Sequence, residues 1–426
     1  MPRAESYAGP GRLRRSRQWS SVLVACLAAA ACAAPATTEG QAAQTAPSGR
    51  SWTEVTRAAR GATVSLWMWG GDPKGNAYVD DVLTPAARQL GITVRRVPVA
   101  DTKDAVNRVL SERQANVTDG AVDLVWVNGD NFTTGEQAGV WRCGWTQSLP
   151  NMAYTDPADP LLATDFGTPV HGCEVPWHKA QFVLAYNAAK VTAPPTSLEG
   201  VLAWARQHPG RFTYPAPPDF TGSVFMREVL YATAGGYRQV PSGYNQAAYN
   251  RLTPALWTTL RDLAPSLWRG GQTYPRDAVA LDKLYADGQI DMTMTYGPAT
   301  LTDLVANGTF PKATRVLSLK GGTVGNASFL AIPATSGHQD AAMVVANLAL
   351  SPQQQAAKAD PRTWGQFTVL DTSRLPPGPR GRFAELPSSP VVPAYPVMSK
   401  NAQPELSASW VTPLDDGWRR AVLERR

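Results

Sequence analysis

The largely apolar, partly β-branched run from Ala62 to Met68 ends in Trp69-Gly70-Gly71-Asp72, the pattern of a buried strand breaking into a loop. Val79, Val82, Leu83, Ala86 and Leu90 then recur at helical spacing, with Asn76 as the expected cap, Gly91 as the stop and Pro85 as an expected kink. Ile92 to Val99 reads as a second strand. Asp101 caps a second helix with Ala105, Val106, Val109 and Leu110 on one face, and Val122 to Val127 supplies a third strand. This alternation predicts a doubly wound α/β unit with a parallel sheet. Its ligand crevice should lie beyond the carboxyl ends of the strands, at Trp69 to Asp72 and Asn128 to Asn131.

Residues 133–175 are rich in turn formers, and a second α/β region begins at the apolar run Gln181 to Asn187, a strand expected to cross between lobes. Thr196-Ser197-Leu198-Glu199 reads as a capping box for a helix that turns Leu198, Val201, Leu202 and Ala205 inward. A short strand at Arg211 to Pro215, a helix starting near Thr221 and running through Leu230, and a strand at Ile290 to Tyr296 follow. Ala327 to Pro333 should return the chain to the first lobe. Residues 371–396, dense in Pro and Gly, read as surface coil.

The amino-terminal residues follow another rule. Arg12, Arg14, Arg15 and Arg17 precede a small, apolar run from Val22 to Ala31, which ends at Cys32. A basic segment, a short apolar stretch and a small-residue cut site make an export leader, too short for a spanning helix. Ala29-Ala30-Ala31-Cys32 resembles a lipoprotein box, with Cys32 as the acylated residue; Leu23-Val24-Ala25-Cys26 is a second match with less apolar sequence before it, and plain cleavage is the third possibility. Residues 33–50, rich in Ala, Thr, Gln and Pro, then form a tether. The protein is thus expected outside the cytoplasm, anchored as an envelope lipoprotein or released.

The formal charge of +6 falls mainly in the leader, since residues after 31 hold 35 basic against 33 acidic side chains. No dense basic run follows residue 32, which argues against a nucleic-acid partner. Cys143 and Cys173 are the other cysteines, and in an oxidising compartment they can pair. The alternatives are two buried thiols, or a reactive Cys143 acting as nucleophile with His171 or a carboxylate as base. No zinc spacing, Gly-x-Ser-x-Gly elbow or phosphate loop is present, so no metal, no cofactor and no hydrolase are indicated.

Met68-Trp69-Gly70-Gly71-Asp72, Asp123-Leu124-Val125-Trp126-Val127-Asn128-Gly129, and the stretch Gly210-Arg211-Phe212-Thr213-Tyr214-Pro215-Ala216-Pro217-Pro218-Asp219-Phe220-Thr221-Gly222 resemble the YnjB-like subgroup of ABC-importer solute-binding proteins. The resemblance runs from about Trp52 to about Leu370 and includes Ala359-Asp360-Pro361 and Trp364-Gly365. It implies a periplasmic-binding-protein-like α/β fold: two lobes, each a doubly wound sheet, joined by crossing hinge strands. On that frame 51–184 is the first lobe, 185–325 the second, and 326–426 the return to the first lobe with a wrapping segment. The implied role is a monomeric receptor that passes a small polar solute to an ABC permease and its ATPase. Distant relatives handle thiamine, polyamines, sugars, oxyanions such as sulfate, or iron. The arginine-rich leader and the Cys143, Cys173 pair depart from the family pattern.

Candidate solute contacts follow from both readings. Gly70, Gly71 and Gly129 are expected at positive φ, with Trp69, Asp72, Asn128 and Asn131 either touching solute or making turns. Trp177, His178 and Gln181 precede the crossing strand, and a lone histidine is as readily a structural residue as a ligand. Thr221, Gly222 and Ser223 offer backbone N–H groups to an anion at a helix start. Asp219 would instead attract a cation, unless it merely caps that helix. Tyr214, Tyr296 and Asn326 complete the set, the tyrosines either stacking on a planar solute or filling a core.

Overall fold

In the computed structural model, residues 50–399 and 402–424 are described; the leader, with Cys26 and Cys32, lies outside them. The first lobe is built on strands β1 (Thr63–Trp69), β2 (Thr93–Val99) and β3 (Leu124–Val127). β1 lies between the other two and is parallel to both, pairing Trp69 with Val99 and Leu66 with Leu124. Because side chains alternate along a strand, Leu124 enters one apolar cluster while Val125 and Val127 enter another on the opposite face. Val55 and Ala342, from helices Trp52–Ala58 and Gln339–Ala349, fill the first cluster; Ala105, Val106 and Val109 of helix Thr102–Gln114 fill the second. Two layers of helix therefore cover one sheet.

The expected helix at 76–90 begins earlier. Asp72, not Asn76, is its cap, accepting from the N–H groups of Lys74 and Gly75. Pro85 has no N–H to give, and the chain widens into a π-turn over Val79–Leu83 between α-helical segments Pro73–Tyr78 and Thr84–Gln89, so the apolar face continues past the proline.

Two long extended segments cross to the second lobe. β4 (Glu174–Gln181) continues through buried Phe182 into β5 (Val183–Asn187). β5 is the middle strand of the second sheet, antiparallel to β6 (Met292–Thr295) and β7 (Thr314–Val316). β8 (Val324–Ala331) brings the chain back, antiparallel to β4 along its length and to β3 at its end. A bulge opposite Ser328 and Phe329 leaves Trp177 without a ladder partner and turns it into the first core. Arg211 to Pro215 joins no ladder; its carbonyls at Arg211 and Phe212 accept from Asp291 and Trp268 instead. The helix before it opens at Ser197, whose side chain takes the Gly200 N–H, not at Thr196.

The return to the first lobe is shorter than expected. Trp364, Val369, Leu370 and Leu375 lie in its core, but Val391, Trp410, Leu414 and Trp418 belong to the core of the second lobe. On the way β9 (Gln403–Pro404) pairs in parallel with Val324 and Gly325, adding a third strand to the crossing. Part of the expected coil is helical, at Pro377–Ala384 and Tyr395–Met398.

Candidate ligand-binding cleft

The carboxyl ends of β1 and β3 face the second lobe across a seam with a distinct set of contacts. Lys74, in the helix after β1, forms an ion pair of 2.7 Å with Asp303 of helix Ala299–Ala306 in the other lobe. Phe166 lies 6.3 Å from Phe220, which meets Tyr296 edge-on at 5.1 Å, so aromatic rings run from one wall to the other.

On the first wall Gly129 turns the chain after β3 at φ 62°, and its N–H donates to Asp165 Oδ2 at 2.8 Å. The Phe166 ring packs on Gly129, where a Cβ would sit 3.4 Å from it. Asp165 and Glu174 are each 1% exposed. Asp165 Oδ1 and both carboxylate oxygens of Glu174 have no hydrogen-bond partner among the described residues. Burial pushes both carboxyls well above the ordinary range; the Gly129 N–H opposes this for Asp165, and the mutual repulsion of the pair adds to it for Glu174.

The buried ion pair on the second wall, Arg227 with Glu405, is engaged. Arg227, in helix Phe220–Ala234, holds Glu405 with two hydrogen bonds of 2.7 and 3.1 Å, the two side chains 1% and 2% exposed. Its remaining arm donates to Ser223 Oγ, which donates to Asp415 Oδ1 at 2.7 Å.

A profile of the family described as bacterial extracellular solute-binding protein matches residues 82–380. The chain belongs to this family. It is 36% identical over 368 residues to protein YnjB of Escherichia coli K12, covering 86% of this chain and 92% of that one. An ABC transporter structure from Clostridium perfringens superposes with a TM-score of 0.61 at 15% identity, covering 85% of this chain and 99% of its own. PotD of Streptococcus pneumoniae, a spermidine/putrescine ABC transporter substrate-binding protein, superposes at 0.60 and 13% identity, covering 86% and 100%. The fold is that of a two-lobed periplasmic binding protein, and the function is that of an ABC-transporter solute-binding protein outside the cytoplasm.

In this solute-binding protein the expected contacts separate into groups. Trp69 ends β1 with 43% of its surface exposed, its ring lying over Gly71. Gly71 and Gly70 are not at positive φ; a Cβ on Gly71 would strike the Trp69 ring at 2.2 Å, and one on Gly70 would meet Pro98 at 2.8 Å. Asn128 and Asn131 are half-buried on either side of Gly129, Asn128 just after β3 and Asn131 in the first turn of helix Asp130–Gln137, in a segment held by backbone and Asp165 contacts that do not use their side chains. Tyr296 and Asn326 are buried, with Tyr296 OH and Asn326 Oδ1 unpartnered.

The others serve the structure. Asp72 caps its helix and accepts from Trp364 Nε1 at 2.7 Å. Asp219 caps helix Phe220–Ala234 through the Gly222 N–H and also accepts from the Ala278 N–H, so both oxygens are engaged. That cap takes up the helix start, and Gly222 is there because a Cβ would lie 2.0 Å from the Pro215 carbonyl oxygen. Thr221 is buried beside it, and the Ser223 hydroxyl is committed to Arg227 and Asp415. The anion site expected at this helix start is thus filled from within. Tyr214 is a core residue that accepts from Trp418 Nε1 at 3.0 Å. Gln181 donates to Thr323 Oγ1 and the Met398 carbonyl and so fastens the crossing.

Trp177 and His178 lie in an aromatic cluster with Trp126 and Trp364, ring centroids 5.0 to 5.9 Å apart. Burial lowers the His178 pKa, and nearby Lys358 lowers it further, which keeps the imidazole neutral. Cys143 and Cys173 form a disulfide across 30 positions.

Reading the sequence missed Asp165, Glu174 and Phe166. Glu174 carried a signal, a charge heading the otherwise apolar Val175-Pro176-Trp177; Asp165 and Phe166 sit in a turn-rich stretch whose pattern points nowhere.

Proposed function

We propose that this protein captures a small polar solute in the seam between its lobes and presents the closed form to an ABC permease and its ATPase. The observation that carries the reading is the seam itself: strand ends of one lobe and helix starts of the other, joined by crossing strands that can act as a hinge. Trp69, Asn128, Asn131, Tyr296 and Asn326 are the proposed contacts from the original set. The solute is of the kind such receptors handle, with a polyamine, thiamine, a sugar, an oxyanion or iron as the classes to examine. Spermidine and putrescine appear in the description of PotD, a relative in fold alone at 13% identity.

Catalysis forms no part of the proposal, because a Cys143 engaged in a disulfide has no thiolate to offer. Cys32 is proposed as the lipid-bearing residue; Cys32→Ser should release the protein from the membrane fraction. The decisive experiment is thermal stability against a solute panel. Since a ligand at 1,000 times its Kd adds roughly 4 kcal/mol, a true solute gives an unmistakable shift and is recovered unchanged. A responsive compound that is chemically altered would restore the enzyme reading.

A further inference from the structure

We infer that Asp165 and Glu174 form a subsite for a protonated amine of the solute, an inference that rests on the solute-binding reading and names its ligand class. A structural carboxyl in a protein interior normally has its hydrogen bonds made. Here three oxygens lack donors: Asp165 Oδ1, Glu174 Oε1 and Glu174 Oε2. Protonating one carboxyl does not cure this, because the two groups make no hydrogen bond with each other and the added O–H would itself need an acceptor. No donor among the described residues fills these places, and a bound solute can. A primary ammonium brings three N–H donors and one positive charge, matching three vacant acceptors and an uncompensated acidic pair.

The surroundings favour an organic cation. Phe166 follows Asp165 directly in the chain and begins the run of rings to Phe220 and Tyr296, whose faces attract a cation and cover an alkyl chain. Asp130, exposed at the start of helix Asp130–Gln137 just after Gly129, is a further acidic group near Asp165. Arg227, the cation across the seam, is tied to Glu405. A metal ion fits less well: among the described residues no group of three or more His, Cys, Asp or Glu is arranged to hold one, and hard cations take six or more oxygens. An anion would meet only carboxylates here.

The test is a thermal-shift titration of the purified protein with putrescine, spermidine and lysine, beside the diol analogue of putrescine, glucose, sulfate, potassium and calcium. Stabilisation by an amine, absent with the diol, is expected. Glu174→Gln and Asp165→Asn should each weaken it roughly tenfold or more, as the loss of a hydrogen bond to a charged group does. The diamine and diol comparison on the unaltered protein needs no variant and stands even if one fails to fold. Stabilisation confined to glucose or sulfate, an equal response to calcium or potassium, or amine binding untouched in both variants overturns the ammonium subsite and leaves solute binding intact. No response to any compound counts against both.

Discussion

The two walls of the cleft treat buried charge in opposite ways. In the second lobe Arg227, Glu405, Ser223 and Asp415 form one connected network, and Asp219 is consumed in capping. In the first lobe Asp165 and Glu174 are as deeply buried and, among the described residues, lack partners for three of their oxygens. A closed network has its counter-charges and holds the lobe together; an open one leaves recognition unmade. On the proposed reading, the unfilled acceptors of the first wall are where a solute's donors would be recognised.

The largest expected effect tests that division. Arg227→Met leaves Glu405 buried without its partner and should destabilise the protein by about 3–5 kcal/mol, read from urea unfolding. Glu174→Gln replaces a buried carboxyl that has no partner among the described residues to strand, so without solute its unfolding midpoint should stay level or rise. If Glu174→Gln costs as much as Arg227→Met, the first wall is a structural network like the second and the comparison fails.

Tyr214→Phe comes next. It deprives the Trp418 indole N–H of its acceptor inside the second core and should cost about 1–3 kcal/mol. Solute affinity, measured by titration calorimetry, should not change. A loss of affinity without loss of stability would return Tyr214 to the cleft.

A smaller and graded effect is expected with pH. Burial raises the Glu228 carboxyl from 4.5 to about 8, against the Val324 N–H that donates to it at the crossing. With the folded value above the unfolded one, the stability this group contributes is full below about pH 4.5, falls as pH rises toward about 8, and is flat beyond. Glu228→Gln should flatten the unfolding midpoint over that window. A variant whose profile matches the parent would show that Asp165 and Glu174, which shift in the same direction, set the dependence.

These contrasts mark what could be read from the chain and what could not. The strand-helix alternation of the first lobe was legible because period-2 and period-3.6 patterns report burial directly, and β1, β2 and β3 fall within a residue or two of their expected ends. Pro85 was legible as a disturbance but not as a π-turn, because the helix absorbed the missing N–H through wider backbone bonding. Arg211 to Pro215 looked like a strand because an apolar run shows burial, not ladder partners. The C-terminal segment was misplaced because its tryptophans signal a core without saying which one. Among the site candidates, polar groups at helix starts could not be told apart from caps, since Asp72 and Asp219 use the same chemistry for either purpose. Glu174 and Asp165 meet only through tertiary folding, and no spacing records it.

The smallest effect concerns how the walls come together. Lys74 and Asp303 join the lobes at 2.7 Å with each side chain about a third exposed, and a pair so wetted is worth about 0.2–1 kcal/mol. Neither residue enters a lobe core, so Lys74→Met should leave the unfolding midpoint nearly unchanged. It should instead shift the balance between closed and open forms by at most about fivefold, because 1.4 kcal/mol corresponds to a factor of ten. Small-angle scattering of the solute-free protein would show the larger radius, and added salt should produce the same change in the parent but not in the variant. The exchanged pair Lys74→Asp with Asp303→Lys should restore closure if attraction across the seam is the cause. Failure of the exchange would assign closure to the Phe166, Phe220 and Tyr296 rings, which meet across the seam from both walls.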